Sequence, residues 1–133
     1  MAKRTQKNTA RNRVSWIPGN FAVKAFDGWR LEMECLVPPQ GLAIKGAILI
    51  THAMMADRRS LTKGGHGIAP TLAGQGWVVF LGDYRGHGGS GPGPAAGSAW
   101  TYDDLVHHDF PAMARAVRQR IGRLPLFFMG HSL

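Results

Sequence analysis

Three short, continuously apolar runs constrain this chain more than any other feature: Gly46 to Thr51, Trp77 to Leu81 and Leu124 to Met129. Such runs, with no polar alternation, suit strands buried on both faces. Between the first two lies Ile68 to Gln75, with Pro70 in its first turn and Gly76 after its end. That punctuation predicts a short helix. Between the second and third, Thr101 and Asp104 stand three apart as a capping box. Val106, Phe110, Met113, Val117 and Ile121 then follow at spacings of four, three, four and four. They make one apolar helical face, and Pro111 predicts either a kink or a restart within it. Strands that alternate with helices argue for a mostly parallel sheet with helices on its faces.

A hairpin precedes these units. Phe21 to Ala25 and Arg30 to Val37 read as strands, Asp27-Gly28 as the turn and Pro38-Pro39 as the stop. His52 to Gly67 reads as a long polar loop, and Gly82 to Gly97 as a glycine-rich one. Cys35 lies in the returning strand as a small buried hydrophobe; being the sole cysteine, it excludes an internal disulfide.

At 133 residues the chain fits one domain, able to bury roughly 65–70% of its unfolded surface. Its formal charge is +8, yet Lys3, Arg4, Lys7, Arg11 and Arg13 carry five of those charges and leave +3 for the rest. Residues 1–15 therefore read as a basic disordered tail and 16–133 as the folded unit. The tail has no aromatic residues interleaved with its charges, so no specific nucleic-acid partner is expected. No segment has the apolar core of a signal peptide or the ~20-residue length of a membrane span. A cytoplasmic location is expected on that ground.

Three motifs carry the chemistry. The strand Leu126-Phe127-Phe128-Met129 runs into Gly130-His131-Ser132-Leu133, the first four positions of G-x-S-x-G. In that nucleophile elbow a strained strand-to-helix turn lifts a serine hydroxyl above the sheet, and Gly130 is expected to prevent crowding. Thr51-His52-Ala53-Met54 follows the first apolar strand, and Gly82-Asp83-Tyr84-Arg85-Gly86-His87-Gly88-Gly89-Ser90 follows the second. The last of these resembles the Asp-x-Arg-Gly-x-Gly-x-Ser loop of the α/β-hydrolase superfamily, in its serine aminopeptidase, lysophospholipase and lipase-like region. All three motifs stand in that family's order over about residues 20 to 133.

The resemblance implies a partial α/β-hydrolase fold: a mostly parallel sheet with an N-terminal hairpin, ending after the elbow. It implies a serine hydrolase acting on esters or on related acyl or peptide bonds. Ser132 would be the nucleophile, with the backbone N–H groups of Met54 and Leu133 forming the oxyanion hole. Ala53 stands where the family more usually has glycine and is the alternative donor. His52, Gly130 and His131 would support the site, and Asp83 and Arg85 would be structural. The family's order is serine, then acid, then histidine, so both partners are expected downstream and the chain is expected to be incomplete and inactive. The last strand would then present an open edge, with low solubility. The implied partner is a small ester or acyl substrate, and no cofactor is expected. Substrate identity and oligomeric state are not encoded in these motifs.

Other readings fare worse. Gly86-x-Gly88-x-x-Gly91 fits the dinucleotide fingerprint formally, but Pro92, Gly93 and Pro94 follow where a helix must begin. His107 and His108 are adjacent and point to different sides of a helix, so no metal site is expected. Asp103, Asp104 and Asp109 read as helix-start charges. Serine at the elbow, not aspartate, argues against a dehalogenase or epoxide hydrolase. The remaining alternatives are a cofactor-free haloperoxidase or perhydrolase on the same scaffold, and a non-catalytic basic binding module or pseudoenzyme.

Overall fold

The computed structural model describes residues 16–93 and 99–132; the basic segment 1–15 and Leu133 lie outside the described residues. Five strands form one sheet: β1 (Gly19–Lys24), β2 (Arg30–Leu36), β3 (Gly46–Thr51), β4 (Trp77–Gly82) and β5 (Leu126–Gly130). Their spatial order is β1-β2-β4-β3-β5. The hairpin β1–β2 joins β4 in antiparallel fashion, whereas β3 pairs parallel with both β4 and β5. Gly28, at φ +97°, takes the left-handed position that the turn between β1 and β2 demands.

Side chains alternate across the central strands and build two cores. Ala47 and Leu49 of β3 face one side with Val78, Phe80, Leu31, Met33 and Cys35. Ile48 and Ile50 face the other with Val79 and Leu81. Helix α1 (Ile68–Gly74) covers the second side through Ala69 and Ala73. The first side is covered by the helical region after Trp100: a turn, α2 (Tyr102–Asp104), a π-helical stretch (Leu105–Asp109) and α3 (Phe110–Ile121). Met113, Val117 and Ile121 of the expected stripe are buried, Phe110 is half-buried, and Val106 is not part of it: Val106 is exposed, and the π-helical stretch buries Leu105 instead. Full burial of such side chains contributes about 1.5–3 kcal/mol each. The polar loop after β3 also holds two short 3₁₀ turns, Arg58–Leu61 and Lys63–Gly65.

Both halves of the Thr101–Asp104 capping box form. Pro111 does interrupt the helix, and the π-helical stretch is how. The proline ring would press on the carbonyl four residues earlier. The wider turn instead bonds the Phe110 N–H to the Leu105 carbonyl, five residues back. The His108 carbonyl then accepts from the Phe26 N–H of the hairpin turn, at 3.2 Å.

One expectation needs correcting. β5 is not buried like β3 and β4: Phe127 and Phe128 are 53% and 54% exposed, on the open edge of the sheet. Among the described residues its apolar character is met on one edge only, by β3.

Candidate active site

Register brings the three motifs together. Thr51 is paired with Gly82 on one side and with Gly130 on the other, so the three parallel strands end level. The loops leaving them therefore meet at one end of the sheet. Position 132 turns sharply there: Ser132 has φ +48°, a left-handed conformation that L-residues adopt at a cost of about 1–2 kcal/mol. The residue is exposed. Beside it opens a cavity of about 420 Å³ lined by Thr51, Tyr84, Tyr102, Leu105, Phe110 and Phe128, among others. Gly130 does not show the expected crowding, since a Cβ there would meet only Thr51 Oγ1, at an ordinary 3.6 Å. His131 is exposed beside Ser132.

The loop after β3 reaches the same place. The Met54 N–H donates to the Ser132 carbonyl, at a long 3.4 Å. Met54 is the second residue of a tight turn that Ala53 opens and that the Ala56 N–H closes on the Ala53 carbonyl, at 3.1 Å. Met55, the third residue of that turn, stands at φ +65°. Positive φ at the third position alone defines a type II turn, which ordinarily takes glycine there.

Two buried histidines hold these loops. His52 Nε2 accepts the Tyr84 N–H at 3.1 Å, so Nδ1 carries the proton and donates to the Ala53 carbonyl at 2.8 Å. Burial holds its pKa below the ordinary histidine value, against a smaller opposing effect of the Ala53 hydrogen bond. His87 repeats the pattern: Nε2 accepts the Met55 N–H at 3.2 Å, and Nδ1 donates to the Arg85 carbonyl at 2.9 Å. Its ring lies against those of His52 and Trp100, at 5.0 and 5.5 Å between centroids.

Beneath the loops lie two ion-pair groups that sequence reasoning missed. Arg85 is bound through its guanidinium to Asp27 on one side, at 2.8 and 2.7 Å, and to Asp109 on the other, at 2.9 and 2.7 Å. Asp109 also accepts the Arg85 N–H at 2.9 Å. Asp109 is therefore no simple helix-start charge. The π-helical stretch buries it completely and aims it at Arg85. The Arg85 guanidinium in turn holds the Asp27 carboxyl down at about 2. Arg58 joins Asp83 and Glu34. Asp83 also accepts the N–H groups of Arg58 and Gly89, and Gly88, at φ +49°, leaves room for it: a Cβ there would lie 2.5 Å from Asp83 Oδ2. The Asp-x-Arg-Gly signal marks the loop, but no spacing rule gives its partners at positions 27, 58 and 109. Asp27, Asp104 and His108 also have ligand atoms within 4.8 Å of one another, but both Asp27 oxygens already accept from Arg85.

The sheet is mixed, with two antiparallel and two parallel pairings among the described residues; a parallel trio β4-β3-β5 extended by this hairpin, with these flanking helices and a serine turn at its carboxyl end, defines the α/β-hydrolase fold. The chain belongs to the serine aminopeptidase (S33) family, whose model matches residues 43–133. Triacylglycerol lipase 2 of Arabidopsis thaliana is 31% identical over 121 residues, 80% of this chain and 29% of that protein. A soluble variant of monoglyceride lipase from Saccharomyces cerevisiae has a TM-score of 0.62 at 25% identity, covering 87% of this chain and 36% of that one. An α/β serine hydrolase without lid from Xanthomonas campestris gives 0.60 at 20% identity, over 86% and 50%. The chain thus spans half or less of these relatives' length. Among the described residues no helix is long and apolar enough to cross a membrane.

Proposed function

We propose that the protein is a serine hydrolase of carboxylic esters or related acyl or peptide bonds, with Ser132 as its nucleophile. The observation that carries this reading is the left-handed turn at Ser132, directly beyond a parallel strand and level with the loop bearing Met54. In the reaction Ser132 Oγ attacks the acyl carbonyl while a base takes its proton. The tetrahedral oxyanion is held by backbone N–H groups, and the acyl-enzyme that remains is hydrolysed by water. Met54 and Leu133 are the proposed donors, with Ala53 the neighbouring alternative. An oxyanion at that point would take the Met54 N–H from the Ser132 carbonyl, and the 3.4 Å bond gives it up readily.

His52 acts as a support, not a base, because both its ring nitrogens are engaged by backbone. His87 is engaged in the same way. Family order places the acid and the general base after the serine. The partner is a small ester or acyl compound.

The test compares wild-type and Ser132→Ala protein from the complete gene. It measures p-nitrophenyl butyrate hydrolysis and covalent labelling by a fluorophosphonate, located by mass spectrometry. Labelling of Ser132 and loss of about 10³-fold or more in kcat with Ser132→Ala is expected. Undiminished hydrolysis in the alanine variant would sink the assignment.

A further inference from the structure

We propose that His87 is a positioning residue for the oxyanion loop: its Nε2 holds the Met55 N–H and thereby keeps the turn that presents Met54 in its left-handed form. This rests on the reading of Met54 as an oxyanion donor. In a type II turn the peptide between the second and third residues is flipped relative to type I, and only glycine takes that form without strain. Here the third residue is Met55, at φ +65° and 81% exposed. No packing of its side chain accounts for the conformation.

The flipped peptide is the Met54–Met55 peptide, and its N–H is the group that His87 accepts at 3.2 Å. The acceptor is fixed from behind. Nδ1 donates to the Arg85 carbonyl at 2.9 Å, which leaves Nε2 unprotonated and aimed at the loop. The ring is 6% exposed and is wedged between His52 and Trp100. Without that acceptor the peptide relaxes towards type I, which needs no positive φ. The flip turns the Met54 carbonyl and the Met55 N–H, and the Ala53–Met54 peptide, released from its fixed neighbour, shifts the Met54 N–H from Ser132. The loop after β4 thus sets the catalytic geometry of the loop after β3, across 32 residues of sequence.

The experiment measures kcat and KM for p-nitrophenyl butyrate in the full-length protein. His87→Leu is expected to lower kcat about 10–100-fold with KM within about threefold, a part of the loss for a deleted oxyanion donor. His87→Gln, which can still accept, should recover most of it. Met55→Gly placed in the His87→Leu background should also recover it, because glycine holds the turn unaided. Met55→Val provides the arm that leaves His87 in place: the branched exposed side chain opposes positive φ, and kcat should fall as for His87→Leu. Wild-type kcat in folded His87→Leu, or in Met55→Val should His87→Leu not fold, overturns the proposal. So does failure of Met55→Gly to rescue. Ser132→Ala run alongside separates the two readings: if it is inactive while those variants are normal, only this inference fails, and if it is active the site itself is misassigned.

Discussion

Arg85→Leu should destabilise the fold by about 3–5 kcal/mol, and the structure says which half of its ion-pair group is responsible. Asp109 is 0% exposed and loses two charge-assisted hydrogen bonds from the guanidinium. A buried carboxylate stripped of its cation carries that 3–5 kcal/mol penalty. Asp27, with its side chain 35% exposed, can be hydrated by water and adds only about 0–1 kcal/mol. Against a typical stability of about 5–15 kcal/mol this is a large share. With a urea slope near 2 kcal/mol/M the midpoint should fall by about 1.5–2.5 M. Circular dichroism in a urea titration reads it directly. Asp109→Asn in the Arg85→Leu background removes the orphaned charge and still leaves an acceptor for the backbone N–H at position 85. The double variant should regain about 2 kcal/mol or more. Strict additivity of the two changes, or a loss below about 1 kcal/mol for Arg85→Leu, would show that Asp109 is not the burdened partner.

Other outcomes follow from the same contacts. Ser90→Ala removes the hydroxyl that donates to the Asp83 carbonyl and accepts the Glu32 N–H, both at 2.7 Å; a loss of about 2–3 kcal/mol is expected in the same titration. Burial pushes the Cys35 thiol up to about 12, so a disulfide reagent at pH 8 should modify it only after unfolding, and rapid labelling of native protein would contradict the packing. Acid should destabilise in two windows. His52 has a depressed folded pKa, so its contribution is complete above about 6.5 and declines as pH falls below it. Asp27 and Asp57, held at about 2 by Arg85 and Arg59, contribute above about 3.8 and lose that contribution as pH falls through 2; melting temperatures from pH 8 to 2 should show both. Phe127→Lys with Phe128→Glu should reduce self-association of the 133-residue chain in sedimentation runs, because those side chains stand exposed on an open strand edge.

The sheet was legible because its signals are local. Apolar runs at Gly46–Thr51 and Trp77–Gly82 mark strands covered on both faces, and the stripe from Met113 to Ile121 marks a helix against them. Thr101 announced its cap because both partners lie within one turn. β5 carries the same apolar signal as β3, but burial depends on what lies beyond its outer edge, which composition does not encode. The glycine-rich loop was legible as a motif and not as a mechanism. Asp27, Arg58 and Asp109 reach it from three other elements, and the Met55–His87 contact joins loops with no common pattern. The π-helical stretch that turns Asp109 inward follows from Pro111, yet the direction of that turn depends on packing against the sheet.

The strand order has a consequence for synthesis. β3 sits between β4 and β5, and β5 is the last of the five to leave the ribosome. A nascent chain ending near residue 125 can already pair the hairpin, β4 and β3, with both helical layers in place. Only with the next few residues does the hydroxyl of Ser132 arrive opposite a loop whose shape was set by Ala53 to Ala56, far earlier in the chain. Scaffold thus precedes the serine turn during translation: the strands and loops that flank position 132 are already made when that residue is added.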